Sequence, residues 1–184
     1  SSDLGPTLGG RANIDHVAMD RDHAQQTAQR ARRICSLVMP SADRRPREAL
    51  MFECLILGDS AGVGTAQAIN ARYERHCDVQ AAERATAAQV LSWRRPRKRY
   101  NTCIFSTGSN DMAGPALAAR LAEIRAQFCF NRVIWLLPYA RPQAYTVSSV
   151  AARFGDETLD LGRFRSRDGV HPSRYMDVAE ALLR

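Results

Sequence analysis

Three short segments of the sequence contain the residue types that serine-based acyl chemistry requires. The segments are Gly58-Asp59-Ser60, Gly108-Ser109-Asn110-Asp111 and Asp168-Gly-Val-His171-Pro172. A serine hydroxyl is a poor nucleophile until a neighbouring base takes its proton. A histidine can be that base when a carboxylate orients its ring, and an amide N–H can stabilise the negative charge that develops on the substrate. The three segments together therefore predict Ser60 as nucleophile and His171 as base.

The spacing of Asp168 and His171 suits the orienting role. The two residues are three positions apart, with a glycine between them. This spacing allows the carboxylate to fold back and accept the Nδ1–H bond, which leaves Nε2 facing the substrate. Asn110 supplies an amide donor, and Asp111 can brace its turn. Each segment alone is also typical of an ordinary turn, because Ser, Gly, Asn and Asp are common there. The prediction depends on their joint presence.

Short apolar runs alternate with helical stretches through most of the chain. The runs predict strands at 52–57, 77–82, 102–106, 133–137 and 158–161, and the patterns between them predict helices at 65–73, 86–93, 115–128, 144–154 and 173–183. Residues 58–64 are predicted to be a turn. This alternation is typical of a parallel sheet covered by helices on both faces. Ligands bind at the carboxyl ends of such strands, where the serine and asparagine segments lie.

The first part of the chain has a different pattern. Residues 1–12 are rich in Gly, Ser and Pro, residues 13–39 favour a helix, and 41–48 form an arginine-rich connector. We therefore expect an N-terminal extension at 1–48 and a main domain at 49–184.

Composition is that of a soluble globular protein. The 184 residues are 45% hydrophobic and 24% charged, with a net charge of +7, which excludes disorder or a coiled coil as the main state. The apolar runs are far shorter than the ~20 residues of a membrane-spanning helix. We expect a location in the cytoplasm, or outside it after removal of a signal segment.

The positive charge has two interpretations. Arginine can simply fill surface positions, or it can attract an anionic partner such as nucleic acid, an acidic polysaccharide or a phospholipid surface. The densest run, residues 94–99, is predicted to be a solvated loop at the far end of the sheet from Ser60, so nucleic-acid binding is the weaker alternative. The five cysteines lack zinc-ligand spacing, and neither a metal nor another cofactor is expected. Cys54 and Cys103 are predicted to be buried.

The order Ser, Asn, Asp/His resembles that of the SGNH hydrolases, the GDSL-type esterases and lipases, over about residues 50–184. The resemblance implies a flavodoxin-like three-layer α/β/α fold with a five-stranded parallel sheet. It also implies metal-free ester hydrolysis through an acyl-serine, with the Ser60 N–H and the Asn110 amide as oxyanion donors.

One position departs from the family pattern. The family has a glycine after the second strand whose N–H is the third oxyanion donor, and this sequence places Arg84 there. A backbone N–H survives in any residue but proline. Three outcomes follow: an active enzyme whose arginine attracts an anionic substrate, a weak enzyme, or a pseudoenzyme. We favour the first.

The function predicted from sequence is a serine esterase for small acyl groups, such as acetyl esters on carbohydrate. Asp59, Tyr139 and Arg141 are predicted to line the substrate cleft. The alternative is an inactive module of the same fold that binds an anionic glycan. The oligomeric state is left open.

Overall fold

Five parallel strands form a single sheet in the order β2-β1-β3-β4-β5. The computed structural model describes residues 26, 29–30, 54–73, 77–98, 100–128 and 130–183. The strands are β1 (Cys54–Gly58), β2 (Cys77–Ala81), β3 (Thr102–Ser106), β4 (Arg132–Leu137) and β5 (Glu157–Asp160). All neighbours are parallel. The central strands are continuous apolar runs because helices cover both of their faces.

In the described part of the main domain, five helices pack on the two faces of this sheet. They are α1 (Ser60–Arg72), α2 (Ala87–Ser92), α3 (Pro115–Ala126), α4 (Arg141–Phe154) and α5 (Tyr175–Leu182), with a 3-10 turn at Leu161–Arg163. The predicted helices and strands are therefore present, with ends that shift by a few residues.

Alternate strand residues face two separate hydrophobic cores. Leu55, Phe105 and Trp135 point to the core formed with α2, α3 and α4. Ile56 and Ile104 point to the core formed with α1 and α5. Since successive side chains of a strand point to opposite faces, one apolar run supplies both cores. The molecule is the three-layer α/β/α structure that the sequence predicted.

The predicted turn at residues 58–64 is wrong beyond its second residue, because α1 begins at Ser60. Gly62 and Gly64 are helical, although glycine costs a helix interior about 1 kcal/mol each. Their small size is used for packing instead. A Cβ on Gly62 would lie 3.2 Å from the Ser106 side chain, and a Cβ on Gly64 would overlap the ring of Tyr175.

Other predictions fall partly or wholly outside the described residues. Of the extension, Gln26, Gln29 and Arg30 are helical, and the boundary at residue 48 stays a prediction.

Cys54 and Cys103 are buried as predicted. Cys54 also faces Cys77 in the register of β1 and β2, with the two sulfur atoms in bonding contact.

None of the helices in the described ranges is long and apolar enough to cross a membrane.

Candidate active site

The end of β1 lies unusually close to the end of its neighbour β3, and this close approach places Ser60. Gly58 has φ +145°, and a Cβ there would overlap the carbonyl oxygen of Ser106. The Asp59 N–H donates to that same oxygen at 2.7 Å. Glycine is required at position 58 by both its backbone angle and this approach. Ser60 then begins α1, at the carboxyl edge of the sheet.

Asp59 lies beneath the site. Its side chain is 0% exposed. One carboxylate oxygen accepts the Ala61 N–H at 3.1 Å, which caps α1, and the Ser106 hydroxyl at 2.7 Å. Burial raises the pKa of the Asp59 carboxyl, and the hydrogen bond from Ser106 is the largest opposing effect. Full burial contradicts the predicted contact between Asp59 and substrate, because the side chain is used to hold α1 against β3.

Ser60, His171 and Asp168 form a continuous hydrogen-bonded chain. The Ser60 Oγ lies 2.8 Å from His171 Nε2. The other ring nitrogen, Nδ1, lies 2.7 Å from the Asp168 carboxylate. An ionised carboxylate only accepts, so Nδ1 carries the proton and Nε2 is free to accept from the serine hydroxyl. The three residues that the sequence singled out are thus brought together across 111 positions of chain.

The loop that carries the base is shaped by Asp168. Its second oxygen accepts the N–H groups of Val170 at 2.9 Å and His171 at 2.8 Å, and the Ser166 hydroxyl at 3.0 Å. These bonds, that of the His171 N–H first, hold the pKa of the Asp168 carboxyl well below its usual range. A bridge between Ser166 and Pro172 closes the loop. Sequence reasoning missed Ser166, although its position two residues before an aspartate is typical of a local turn.

Arg84 lies in a tight turn after β2. The Ala85 N–H donates to the Ala82 carbonyl at 3.3 Å, and the Ala82 N–H donates to the Gly58 carbonyl at 3.0 Å. Arg84 has φ +58° and is the one non-glycine residue of the described chain in the left-handed region. That region favours glycine. Arg84, which we predicted at the glycine position of the family, thus has a backbone conformation that favours glycine.

Asn110 joins this turn to the turn after β3. Its side-chain amide donates to the Ala85 carbonyl at 3.1 Å. An amide nitrogen carries two protons, so a second donor remains. Asp111 braces the same junction, as expected, by accepting the Ala87 N–H at 2.8 Å at the start of α2.

The two other residues predicted to line the cleft have structural partners. The Tyr139 hydroxyl donates to the Phe164 carbonyl at 3.2 Å. The Arg141 guanidinium donates to both oxygens of Asp160, and to the carbonyls of Pro138 and Tyr139. Each of its three nitrogens thereby makes at least one hydrogen bond. Arg141 therefore braces the loop after β4 against the turn after β5.

Tyr175 is a residue of this site that sequence reasoning missed. Its ring lies where a Cβ of Gly64 would be, and the Cβ direction in a helix points toward the residue one turn earlier, which is Ser60. Burial, then the charges of Asp59 and Asp168, raises the pKa of the Tyr175 hydroxyl to about 12. The only signal in the sequence is an aromatic residue that follows the histidine segment by a few positions.

The basic run lies away from these residues. Arg94, Arg95 and Arg97 line an open hollow of about 520 Å³ with Asp78, near the amino ends of β1 and β2. Lys98 and Tyr100 both bond to Asp78. Within the described ranges, no group of three or more His, Cys, Asp or Glu side chains is arranged to hold a metal ion.

The parallel five-stranded sheet and the contact between Ser60 and His171 agree with the arrangement that the sequence led us to expect. No protein-family model matches the chain, and no curated protein matches it in sequence.

Among solved structures, the chain is similar to the C-terminal catalytic domain of Streptococcus pneumoniae peptidoglycan O-acetyltransferase A (OatA) with a methylsulfonyl adduct. The TM-score is 0.48 at 14% identity, over 73% of this chain and 94% of that one. A second crystal structure has a TM-score of 0.41 at 10% identity, over 71% of this chain and 93% of its own.

Proposed function

We propose that the chain is a serine esterase that hydrolyses esters of small acyl groups through an acyl-serine intermediate. The observation that carries the proposal is the hydrogen-bonded chain from Ser60 Oγ through His171 to the Asp168 carboxylate, with distances of 2.8 and 2.7 Å. Such a chain supplies what a serine lacks, a positioned base in a fixed tautomer.

The proposed reaction has two half-reactions. In the first, His171 Nε2 takes the hydroxyl proton as Ser60 Oγ bonds to the ester carbonyl carbon. The carbon–oxygen bond to the alcohol then breaks, and His171 gives the proton to the leaving oxygen. In the second, water loses a proton to His171, attacks the acyl-serine and releases the acid, and the proton returns to Ser60. Asp168 stays ionised and orients the ring throughout.

Three N–H groups are candidates to stabilise the oxyanion. The N–H of Ser60 lies at the first turn of α1, where backbone donors have no partner inside the helix. The Arg84 N–H makes no hydrogen bond within the described part of the chain, and the Asn110 amide has a donor left over. Hydrogen bonds connect the three turns to one another through Gly58, Ala82 and Ala85. A donor of this kind is typically worth about 3 kcal/mol in the transition state.

The preference for a small acyl group is supported by Tyr175. Its ring fills the space along α1 one turn from Ser60. A carbohydrate alcohol suits an open approach, since Asp168 and its neighbours Gly169 and Val170 are exposed.

The test is the hydrolysis of p-nitrophenyl acetate by the wild type and by Ser60→Ala. We expect the variant to lose at least ~10³-fold in kcat/KM, while Ser149→Ala, which removes an exposed hydroxyl on α4, retains the wild-type rate. A fluorophosphonate should add its mass to the peptide that contains Ser60 and to no other. Equal rates for the wild type and Ser60→Ala would refute the esterase and favour the glycan-binding module.

A further inference from the structure

Arg84 places an unpaired cation beside the candidate oxyanion donors. Its side chain is exposed and makes no ion pair or hydrogen bond with any residue that the structure describes. The adjacent Ala85 carbonyl is the one that binds the Asn110 amide. The Arg84 backbone is thus directly next to a carbonyl that a candidate oxyanion donor binds.

The backbone at this position does not require an arginine. A left-handed residue at φ +58° is favoured for glycine and disfavoured for a long side chain. The N–H that could bind an oxyanion would be the same in either residue. What Arg84 adds to the site, relative to glycine, is therefore its guanidinium group.

Two further arginines lie close to His171 in the chain. Arg165 and Arg167 lie on the loop that carries the base, are exposed, and form no ion pair among the residues described here. The carboxylates nearby are already occupied: Asp168 by His171 and Asp160 by Arg141. Unpaired arginines therefore lie on two of the segments that form the site, the turn after β2 and the loop that leads to His171, and an excess of positive charge raises the local concentration of anions.

We propose that the ester substrate carries a negative charge on its alcohol part, as a carboxylate or a phosphate, and that Arg84 binds it. The inference rests on the proposed esterase. A guanidinium recognises both kinds of anion by paired hydrogen bonds. An acyl-substituted acidic saccharide has this chemistry. Because the proposed acyl group is small and uncharged, a negative charge on the ester must lie on its alcohol part.

The experiment compares matched acetyl esters. The neutral ester is methyl 4-acetoxybenzoate, and the anionic esters are 4-acetoxybenzoate and 4-acetoxyphenyl phosphate, which separate carboxylate from phosphate. The quantity measured is the ratio of kcat/KM for anionic over neutral ester. A ratio cancels any change in the backbone donor, because all three esters use the same oxyanion site.

We expect Arg84→Gln to lower this ratio about tenfold for at least one of the anions, and Arg84→Lys to restore part of it. Raising salt from 10 mM to 500 mM should lower the ratio in the wild type more than in Arg84→Gln. The control is Arg97→Gln, which removes the same charge at the amino end of the sheet and should leave the ratio unchanged.

Two results would overturn the inference while Ser60-dependent hydrolysis persists. One is an unchanged ratio in Arg84→Gln, and the other is an equal fall in Arg97→Gln, which would mean that only total charge matters. Loss of Ser60 dependence for all three esters refutes the proposed esterase instead, so the two failures are distinguishable.

Discussion

The side-chain amide of Asn110 donates to the carbonyl of Ala85, the residue directly after the left-handed Arg84. One asparagine therefore offers a donor to the candidate oxyanion position and also fixes the turn that offers another. The turns after β2 and β3 are thus held in one arrangement before any substrate binds. Preorganisation of this kind makes hydrogen-bond donors effective in catalysis.

Replacing this amide should damage catalysis more than folding. We expect Asn110→Ala to lower kcat by about 10²–10³-fold, because a donor is lost and the Arg84 turn is released. The matched control is Asn70→Ala, since the Asn70 amide also bridges two backbone groups, at Cys77 far from the site. That variant should lower the unfolding temperature and keep kcat. Similar kinetic losses in both variants would contradict a role for Asn110 in the reaction.

The carboxylate of Asp168 should matter through the tautomer of His171. In Asp168→Asn the amide oxygen can still accept the backbone N–H bonds that shape the loop, but the NH₂ group would face Nδ1. The ring proton would then move to Nε2, which could no longer accept from Ser60. We expect kcat for p-nitrophenyl acetate to fall about 10⁴-fold with the fold intact. A circular dichroism spectrum and unfolding midpoint like those of the wild type, with wild-type kcat, would contradict the proposed mechanism.

The contact between Gly64 and Tyr175 predicts a reversal of sign in a double-mutant cycle. Gly64→Ala should destabilise the protein by roughly 1–3 kcal/mol, because the added methyl overlaps the ring. In a Tyr175→Ala background the ring is gone, and the same change should stabilise by about 1 kcal/mol through helix propensity. Urea unfolding of the four proteins measures both effects. Equal effects of Gly64→Ala in both backgrounds would show that the ring does not fill this space.

The buried Asp59 predicts a pH dependence of stability. Because its pKa is raised in the folded state, the folded chain binds this proton more tightly than the unfolded chain does. Its contribution to stability is therefore greatest below the ordinary pKa of about 4 and falls as pH rises through the folded value.

Asp59→Asn keeps an oxygen that can cap α1 and removes the titration. The free energy of unfolding of the wild type, relative to this variant, should fall between pH 4 and pH 7. Glu123→Gln, at an exposed carboxylate of α3, is the control and should show no such trend. If the difference in the free energy of unfolding between the wild type and Asp59→Asn stayed constant with pH, a raised pKa of Asp59 in the folded state would be contradicted.

Patterns local in the chain predicted the fold and the three residues, Ser60, His171 and Asp168, that the structure brings together. The short, continuous apolar runs at β1 and β3 favour buried strands, and the carboxyl ends of parallel strands meet at one edge. What the sequence could not reveal depends on distant neighbours. Gly62 and Gly64 suggested a turn because their packing partners, Ser106 and Tyr175, are far away in the chain.

The burial of Asp59 and the bracing role of Arg141 were missed for the same reason. A carboxylate next to the nucleophile, or an arginine after β4, has the right type to contact a substrate. Only the positions of Ser106 and Asp160 show that these side chains already have partners.

The loop that carries Asp168 and His171 is exposed and is held mainly by its own short-range hydrogen bonds, whereas Ser60 begins a helix packed into the core. Opening that loop would sacrifice little buried apolar surface, so it costs far less than unfolding the sheet. The amides of Val170 and His171 should consequently exchange with deuterium long before those of β1. Heat or mild denaturant would then abolish the proposed esterase activity while the core is still folded, because the His171 ring would move away from a Ser60 that stays in place.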